Sequence, residues 1–204
     1  MILNEVRDML EKSWIKETCS LGLKDTWTID NKALGQCAVT ALVVNDFLGG
    51  KIMRCMCESG SHYYNLINGE IVDLTDSQFN EIPNYELGEE RTREYLLSNI
   101  DTKNRYLLLL KNVKENFIKY GKKEYKLMSI NGEYFSKIPG TLGGNKKLKI
   151  YGKLDCKSAL NWLKKGKYVS NRVFFENEES AIKSGYRPCG ICMKKEYQLW
   201  KKTI

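Results

Sequence analysis

The sequence of 204 residues predicts an α+β protein with two domains, and three observations support this prediction. Helical apolar periodicity in the first half is interrupted by a hairpin pattern around Asn68-Gly69. The net charge changes sign, because residues 1–117 carry 13 Lys/Arg and 18 Asp/Glu whereas residues 118–204 carry 20 and 7. Three of the seven cysteines fall in the last quarter of the chain. Two parts with different partners are therefore expected.

The first part is predicted to combine helices with a small antiparallel sheet. Apolar spacing, the Gly49-Gly50 stop and the Asn68-Gly69 turn set the boundaries of its elements. The predicted elements are helix 3–18, loop 27–34, helix 36–48, strands 51–57, 62–67 and 70–74, and helices 89–100 and 104–119. Together they define an α+β domain over residues 1–120.

Residues 121–147 are predicted to form a basic linker, because they contain Pro139-Gly140 and Gly143-Gly144. The alternative is a hairpin at Asn131-Gly132. A small α/β module over residues 148–204 is expected to follow. Its predicted elements are helix 158–165, strand 172–175, helix 180–183, a turn at 189–192 and helix 194–200.

Composition indicates an ordinary globular protein of the cytoplasm. Hydrophobic residues make up 42% of the chain, and no apolar run approaches the ~20 residues that span a bilayer. The acidic N-terminal residues do not fit a signal peptide. In a reducing compartment the cysteines are thiols, so catalysis, metal binding and plain burial remain their three candidate roles.

The C-terminal cysteines form a candidate zinc site. Cys189-Gly190-Ile191-Cys192 is a C-x-x-C turn, whose two sulfurs can bind one ion, and Cys156 lies upstream. A small domain would also gain folding energy from a metal. A redox-active pair and three buried cysteines without metal are the alternatives.

The surrounding sequence resembles the metal-binding domain of the Ada DNA-repair protein. The resemblance rests on residues 172–182 and on Gly185-Tyr186-Arg187-Pro188-Cys189-x-x-Cys192, in that order and spacing. It implies zinc binding by Cys156, Cys189 and Cys192, in a module related to one that contacts the DNA backbone. Water, Asp155 or Asn171 could then complete the ligand set.

One departure from the Ada pattern argues against its repair activity. Ada-type domains carry their alkyl-accepting cysteine four residues before the second cysteine. Counting back four residues from Cys156 gives Gly152, and counting forward gives Leu160. Neither side chain can accept an alkyl group, so phosphotriester repair is not expected.

A basic surface is expected on the C-terminal part, and DNA or another polyanion is its expected partner. Tyr151, Trp162 and Tyr168 lie among the basic residues and could stack on bases, or belong to the core. The candidate phosphate-contacting residues are Lys146, Lys147, Lys149, Lys153, Lys164, Lys165, Lys167 and Arg172.

A second candidate site lies in the N-terminal domain. Cys37 begins the predicted helix, His62 is the sole histidine and lies on a strand, and Asp73 ends the return strand. These types suit a nucleophile, a general base and an imidazole orienter, in the chain order of papain-like and transglutaminase-like thiol enzymes. Gln36 and the Cys37 amide are candidate oxyanion donors. A buried core cysteine and a structural His–Asp pair are the alternatives.

The same region resembles the YunG-type proteins of bacteria. The resemblance rests on residues 35–44, 60–65 and 73–79 and extends over most of residues 5–117. It implies a bacterial origin and a genuine domain, but it implies no activity.

Three hypotheses for function follow. The first is a zinc-binding, nucleic-acid-associated protein that lacks an alkyl acceptor. The second is a cysteine-dependent hydrolase or acyltransferase, with the zinc module as a targeting element. The third is a protein-interaction scaffold. Metal content and the geometry around His62 discriminate among them.

Overall fold

The computed structural model describes residues 2–58 and 60–203, and the chain divides into two compact units. Unit 1 is Met1–Tyr120 and unit 2 is Gly121–Ile204. Helices and largely antiparallel sheets make up both units, which confirms the predicted α+β class. In the described residues no helix is both long and apolar enough to cross a bilayer.

Unit 1 packs helices against a four-stranded antiparallel sheet of order β3-β2-β1-β4. Its first helix is shorter than predicted and is followed by a short 3-10 turn at Lys16–Thr18. The elements are α1 (Ile2–Glu11), α2 (Cys37–Leu48), β1 (Lys51–Cys57), β2 (Gly60–Ile67), β3 (Glu70–Val72), β4 (Glu89–Arg91), α3 (Arg93–Leu97) and α4 (Ile100–Tyr120).

Helix α2 is the central helix of unit 1. Its side chains from Val39 to Val44, together with Phe47, are all buried, as expected of a helix that is apolar on every face. The helix ends at Gly49, which adopts a φ of 74° that favours glycine. This burial fixes the position of its first residue, Cys37.

The β2–β3 hairpin places the other two candidate residues. Asn68 and Gly69 have φ values of 55° and 91°, as a two-residue turn of this type requires. Cys55 pairs with His62 across β1 and β2. Strand β3 ends at Val72, so Asp73 lies directly after it.

The predicted helix over residues 89–100 is confirmed only over Arg93–Leu97, which form α3, and its first part is wrong. Residues 89–91 instead form β4, which pairs with β1, for example Ile52 with Arg91. Thr92 then caps α3, because its side chain accepts a hydrogen bond from the Tyr95 amide. Edge pairing to an existing strand therefore overrides the local helical pattern.

Unit 2 contains a second four-stranded sheet, of order β10-β8-β7-β9, and a separate hairpin, β5–β6. The elements are β5 (Tyr125–Ser129), β6 (Gly132–Ser136), β7 (Leu142–Asn145), β8 (Ile150–Lys153), α5 (Lys157–Lys164), β9 (Arg172–Phe175), α6 (Glu178–Lys183), β10 (Arg187–Pro188) and α7 (Lys194–Lys201).

The predicted linker over residues 121–147 is part of unit 2 and forms three of its strands. The hairpin considered as an alternative is present, with Gly132 at a φ of 104°. Leu127 and Met128 are buried, and Met128 belongs to the same core as Tyr151 and Phe175. Lysines that flank this half-buried hairpin, at positions 122, 123 and 137, and the Pro-Gly and Gly-Gly pairs that follow it give the segment the composition of a linker.

Candidate functional site

Cys37 lies at the start of α2 and is partly exposed. The chain reaches it through Gly35, which has a φ of 68° and whose added Cβ would lie 2.7 Å from the Cys19 sulfur. A side chain at position 35 is therefore excluded by conformation and by space. The Cys37 Sγ lies 4.0 Å from the Ser61 carbonyl oxygen, next to His62.

His62 connects Cys37 to Asp73. Its side chain is 1% exposed, and its Nε2 hydrogen-bonds to Asp73 Oδ2. Cys37 lies close enough to the imidazole to raise its pKa. Because Nε2 is occupied by Asp73, the buried Nδ1, which has no hydrogen-bond partner among the described residues, is the ring nitrogen left for the Cys37 sulfur.

The Asp73 carboxylate is held by three further donors. The Thr75 amide and hydroxyl donate to Oδ1 at 2.8 and 3.0 Å, and the Tyr85 hydroxyl donates to Oδ2 at 2.9 Å. Phe79 packs edge-on against the His62 ring, with ring centroids 4.7 Å apart. The carboxylate and the imidazole are thereby fixed in one orientation.

The electrostatics of the pair favour the charged forms. Burial alone lowers the pKa of His62, but the hydrogen bond to Asp73 and the proximity of Cys37 raise it to about 9. Burial alone raises the pKa of Asp73, but the hydrogen bonds from His62, Thr75 and Tyr85 together with the His62 charge outweigh burial, so the pKa lies below its usual range. The pair is therefore an imidazolium and a carboxylate, and the imidazolium lies beside the Cys37 sulfur.

Gln36 has a different environment from the one expected of an oxyanion donor. Its side chain is fully buried, and the amide nitrogen donates to the Ile15 carbonyl oxygen at 3.1 Å. This contact ties the start of α2 to the segment after α1. The backbone amides of the first turn of α2, which have no acceptor within the helix, remain the candidate oxyanion donors.

Unit 2 brings the three predicted cysteines together. The ligand atoms of Cys156, Cys189 and Cys192 all lie within 4.8 Å of one another, and the Cys156 and Cys189 sulfurs are 4.0 Å apart. Sulfurs of a tetrahedral zinc site lie about 3.8 Å apart, because each Zn–S bond is about 2.3 Å long. The donor set therefore fits a soft or borderline metal ion.

Gly152 lies against this three-cysteine cluster. A Cβ at position 152 would lie 2.7 Å from the Cys192 sulfur and 3.0 Å from the Cys189 Cβ. The glycine therefore allows β8 to approach the cluster closely, and it leaves the face next to β8 without a side-chain ligand. Within the described residues the set of close metal ligands stays at three.

The two cysteines of the C-x-x-C turn differ in their environment. Burial tends to raise the pKa of Cys189, but the backbone amides of Cys192 and Ile191 outweigh it, and the pKa is lowered. Burial raises the pKa of Cys192. The turn thus stabilises one negative sulfur before any cation is considered.

The candidate phosphate-contacting lysines are all exposed, and Arg172 is half-buried. Arg172 lies over the rings of Tyr168 and Phe174, at 5.3 and 5.2 Å from their centroids. Of the three aromatic residues considered for stacking, Tyr151 is core and Trp162 is 51% exposed.

Sequence reasoning missed the residues that support the thiol site, namely Thr75, Tyr85 and Phe79. One signal was available, since Asp73-Leu74-Thr75 is the pattern of a carboxylate that bonds the backbone two residues on. No local sequence pattern indicated Tyr85 or Phe79, because only the folded path of residues 74–88 brings them to the site.

Comparison with known proteins places unit 1 in a family. A family model described as "YunG protein" matches residues 2–118. The chain is 38% identical over 77 residues to "Uncharacterized protein YunG" of Bacillus subtilis (strain 168), a match that covers 38% of this chain and 63% of the length of that relative. No solved structure matches the chain. Because the family model covers more than half of the sequence, the chain belongs to the YunG protein family.

Proposed function

We propose that unit 1 is a cysteine-dependent acyl-transfer enzyme, a hydrolase or acyltransferase in which Cys37 is the nucleophile. The observation that carries this proposal is the buried His62, which hydrogen-bonds to Asp73 through one ring nitrogen and faces Cys37 with the other. Nucleophile, proton carrier and orienter within hydrogen-bond reach are the signature of this chemistry.

Each of these side chains has one role in the reaction. The Cys37 thiolate attacks the acyl carbonyl carbon, and the carbonyl electron pair moves onto the oxygen, which the amides of the first α2 turn stabilise. Collapse expels the amine or alcohol, which takes the proton from the His62 imidazolium. A thioester on Cys37 and a neutral His62 remain.

The second half of the reaction regenerates the site. Neutral His62 removes a proton from water, or from an acceptor amine, as that group attacks the thioester carbon. The C–S bond breaks, and the Cys37 thiolate and the imidazolium are restored. Asp73 stays ionised throughout and keeps Nδ1 directed at the sulfur.

Alkylation of the thiols tests the proposal. We expect chloroacetamide to label Cys37 faster than the half-buried Cys57 at neutral pH, with rates read by peptide mass spectrometry. His62→Ala should slow Cys37 by about tenfold or more, since a free cysteine is only a few per cent thiolate at pH 7. Equal rates in wild type and His62→Ala would overturn the proposal. An acyl adduct on Cys37 from a thioester substrate, absent in Cys37→Ser, would support turnover.

A second function, zinc binding by unit 2, is favoured by the three-cysteine cluster. We propose that Cys156, Cys189 and Cys192 hold Zn²⁺, in line with the resemblance of residues 172–192 to the Ada metal-binding domain. The ion would link the start of α5, through Cys156, to the turn before α7 and stabilise this small unit.

Metal analysis tests this second proposal. We expect close to one zinc ion per chain after gentle purification, and its loss in Cys189→Ser but not in the control Cys57→Ser. Less than about 0.2 zinc per chain would overturn the proposal, a cutoff that allows for loss from a site with three protein ligands.

We further propose that the basic surface of unit 2 contacts nucleic acid. Its exposed lysines support phosphate contacts, whose affinity falls steeply with salt. A mobility-shift assay at about 50 mM salt is a permissive test. Charge-neutralising Gln substitutions at Lys164, Lys165 and Lys167 should weaken the complex, and the absence of any complex with the wild-type chain would exclude this role.

A further inference from the structure

A cleft in unit 1 borders the thiol site. It has a volume of about 560 Å³, within the range of small-ligand sites. Met56, Phe79 and Ile82 are among its apolar lining residues, and Met56 and Ile82 are 60% and 87% exposed. Exposed apolar side chains that line one concave surface are a common mark of a ligand-binding groove.

Two contacts connect this cleft to the candidate chemistry. Phe79, in its lining, packs edge-on against His62. Gln78, also in its lining, accepts a hydrogen bond from the Gly35 amide in the loop that leads to Cys37. The cleft therefore borders the His62 ring and the loop before Cys37, although neither Cys37 nor His62 lines it.

The charged residues that line the cleft are all acidic. Glu58 and Glu81 line it, and its lining contains no lysine or arginine. Both glutamates are exposed, and neither forms an ion pair within the described part of the chain. Arg54 lies near the cleft but does not line it, and its Nη2 is 3.1 Å from the Met56 sulfur. The two carboxylates thus remain available to a cation on the ligand.

We propose that this cleft binds the acyl side of the substrate, and that this acyl group belongs to a peptide with an apolar side chain next to a basic one. The proposal rests on the acyl-transfer function of Cys37. The apolar side chain packs against Met56, Phe79 and Ile82, and the basic side chain pairs with Glu58 and Glu81. Acidic peptides are disfavoured because their carboxylates would meet two like charges.

Matched affinity probes test the substrate class on the full chain. The probes are acyloxymethyl ketones of acetyl-Leu-Lys, acetyl-Leu-Gln, acetyl-Leu-Glu and acetyl-Gly-Lys, and the second-order rate of Cys37 alkylation is measured. We expect Leu-Lys to react about fivefold or more faster than Leu-Gln, as two exposed ion pairs allow. We expect it to exceed Gly-Lys by about tenfold, as loss of an apolar side chain from a pocket does.

Substitutions in the cleft test whether its two glutamates cause the preference for the Leu-Lys probe. Glu58→Gln combined with Glu81→Gln should bring the Leu-Lys and Leu-Gln rates to within about twofold, since no ion pair then remains. Glu70→Gln, on the exposed strand β3, is the matched control and should leave the preference intact. A Leu-Lys preference that survives the double substitution, or a preference for Leu-Glu, would overturn the assignment.

A binding measurement tests the cleft independently of the acyl-transfer reaction. In Cys37→Ser, the amide of acetyl-Leu-Lys should still shift the methyl NMR signal of Met56, and acetyl-Leu-Glu amide should not. If this shift occurs while no probe labels Cys37 in a His62-dependent way, the acyl-transfer function fails and a peptide-binding cleft remains. If labelling depends on His62 but the shift and the preference are absent, the cleft assignment alone is wrong.

Discussion

His62 is the residue that lies between Asp73 and Cys37 in the proposed thiol site. The imidazole is buried, is packed by Phe79 and hydrogen-bonds to a carboxylate that three other donors also hold. Such a ring has little freedom to turn, so Nδ1 keeps one orientation. Because these contacts stabilise the protonated imidazole, the positive charge of His62 also adds to the folding stability of unit 1.

The stability of unit 1 should therefore fall as pH rises from about 6.5 to about 9. The folded pKa of His62, about 9, lies above its ordinary value of 6.5, so folding binds a proton that stabilises the unit at low pH. That stability is fully present below pH 6.5 and is lost through pH 9. The expected loss is on the order of 2 kcal/mol. Urea titrations at each pH measure this loss of unfolding free energy. The unfolded fraction is read from labelling of the buried Cys19 and Cys55 during a short maleimide pulse.

The variant His62→Gln separates this contribution from other titrating groups. It should lower stability at pH 6.5 and flatten the decline between pH 6.5 and 9. At the acid end Asp73 acts in the opposite sense, because its lowered pKa contributes stability that is lost as pH falls below its usual value of 3.8. A decline of equal size in wild type and His62→Gln would contradict the assignment to His62.

Gly152→Ala should weaken metal binding in unit 2. The added Cβ would lie 2.7 Å from the Cys192 sulfur, so β8 or the turn that carries Cys192 must shift. Displaced ligands typically reduce affinity by about 10–100-fold. Competition with a chromophoric chelator measures the affinity. Lys153→Ala, at the exposed neighbouring position, is the control, and an unchanged affinity in Gly152→Ala would show that the site tolerates a side chain there.

Among the elements, α2 is positioned by a polar network at its C-terminal half. The Arg93 guanidinium, from α3, donates to the Leu42 carbonyl oxygen at 2.9 Å and pairs with Asp46 at 2.8 Å. Tyr106, from α4, donates to Asp46 at 2.6 Å. These contacts hold three helices together and fix the axis of α2, on which Cys37 sits.

Arg93→Met should loosen α2 while keeping much of the side-chain volume. It leaves the partly buried Asp46 carboxylate without its cation, which is expected to destabilise the unit by about 2 kcal/mol, less than for a fully buried pair. Amide hydrogen exchange in α2, followed by mass spectrometry, should accelerate by about 30-fold. Arg91→Met, which removes a more exposed contact to Glu89, is the control and should leave α2 protection unchanged.

Elements whose boundaries are set by local chemistry were predictable, and those set by distant partners were not. The α2 helix and the Asn68-Gly69 hairpin were read from apolar spacing and turn residues, so Cys37, His62 and Asp73 could be placed together. Strand β4 was read as helix because its pairing with β1 is invisible in local periodicity. The composition of residues 121–147 predicts a linker because lysines flank the hairpin over 125–136 and glycine pairs follow it.

At the scale of the whole molecule, the two units differ in the forces that hold them. Unit 1 has a central apolar helix whose C-terminal half is held by hydrogen bonds from Arg93 and Tyr106. Unit 2 is smaller, and its core cluster lies mainly around Tyr151 and Phe175. Small units often need a metal to reach full stability.

Removing the proposed zinc ion should therefore destabilise unit 2 and leave the proposed thiol site of unit 1 unchanged. With a strong zinc chelator, thermal unfolding of unit 2, followed by Trp162 and Trp200 fluorescence in a Trp14→Phe/Trp27→Phe chain, should shift down by about 10 °C or more, since structural zinc contributes folding energy directly. The rate of Cys37 alkylation at neutral pH should stay within about twofold, because its reactivity depends on His62 within unit 1. Cys156→Ser should reproduce the shift without chelator. A parallel loss of Cys37 reactivity in either case would show that the two sites depend on each other, and an unshifted transition would show that unit 2 folds without the ion.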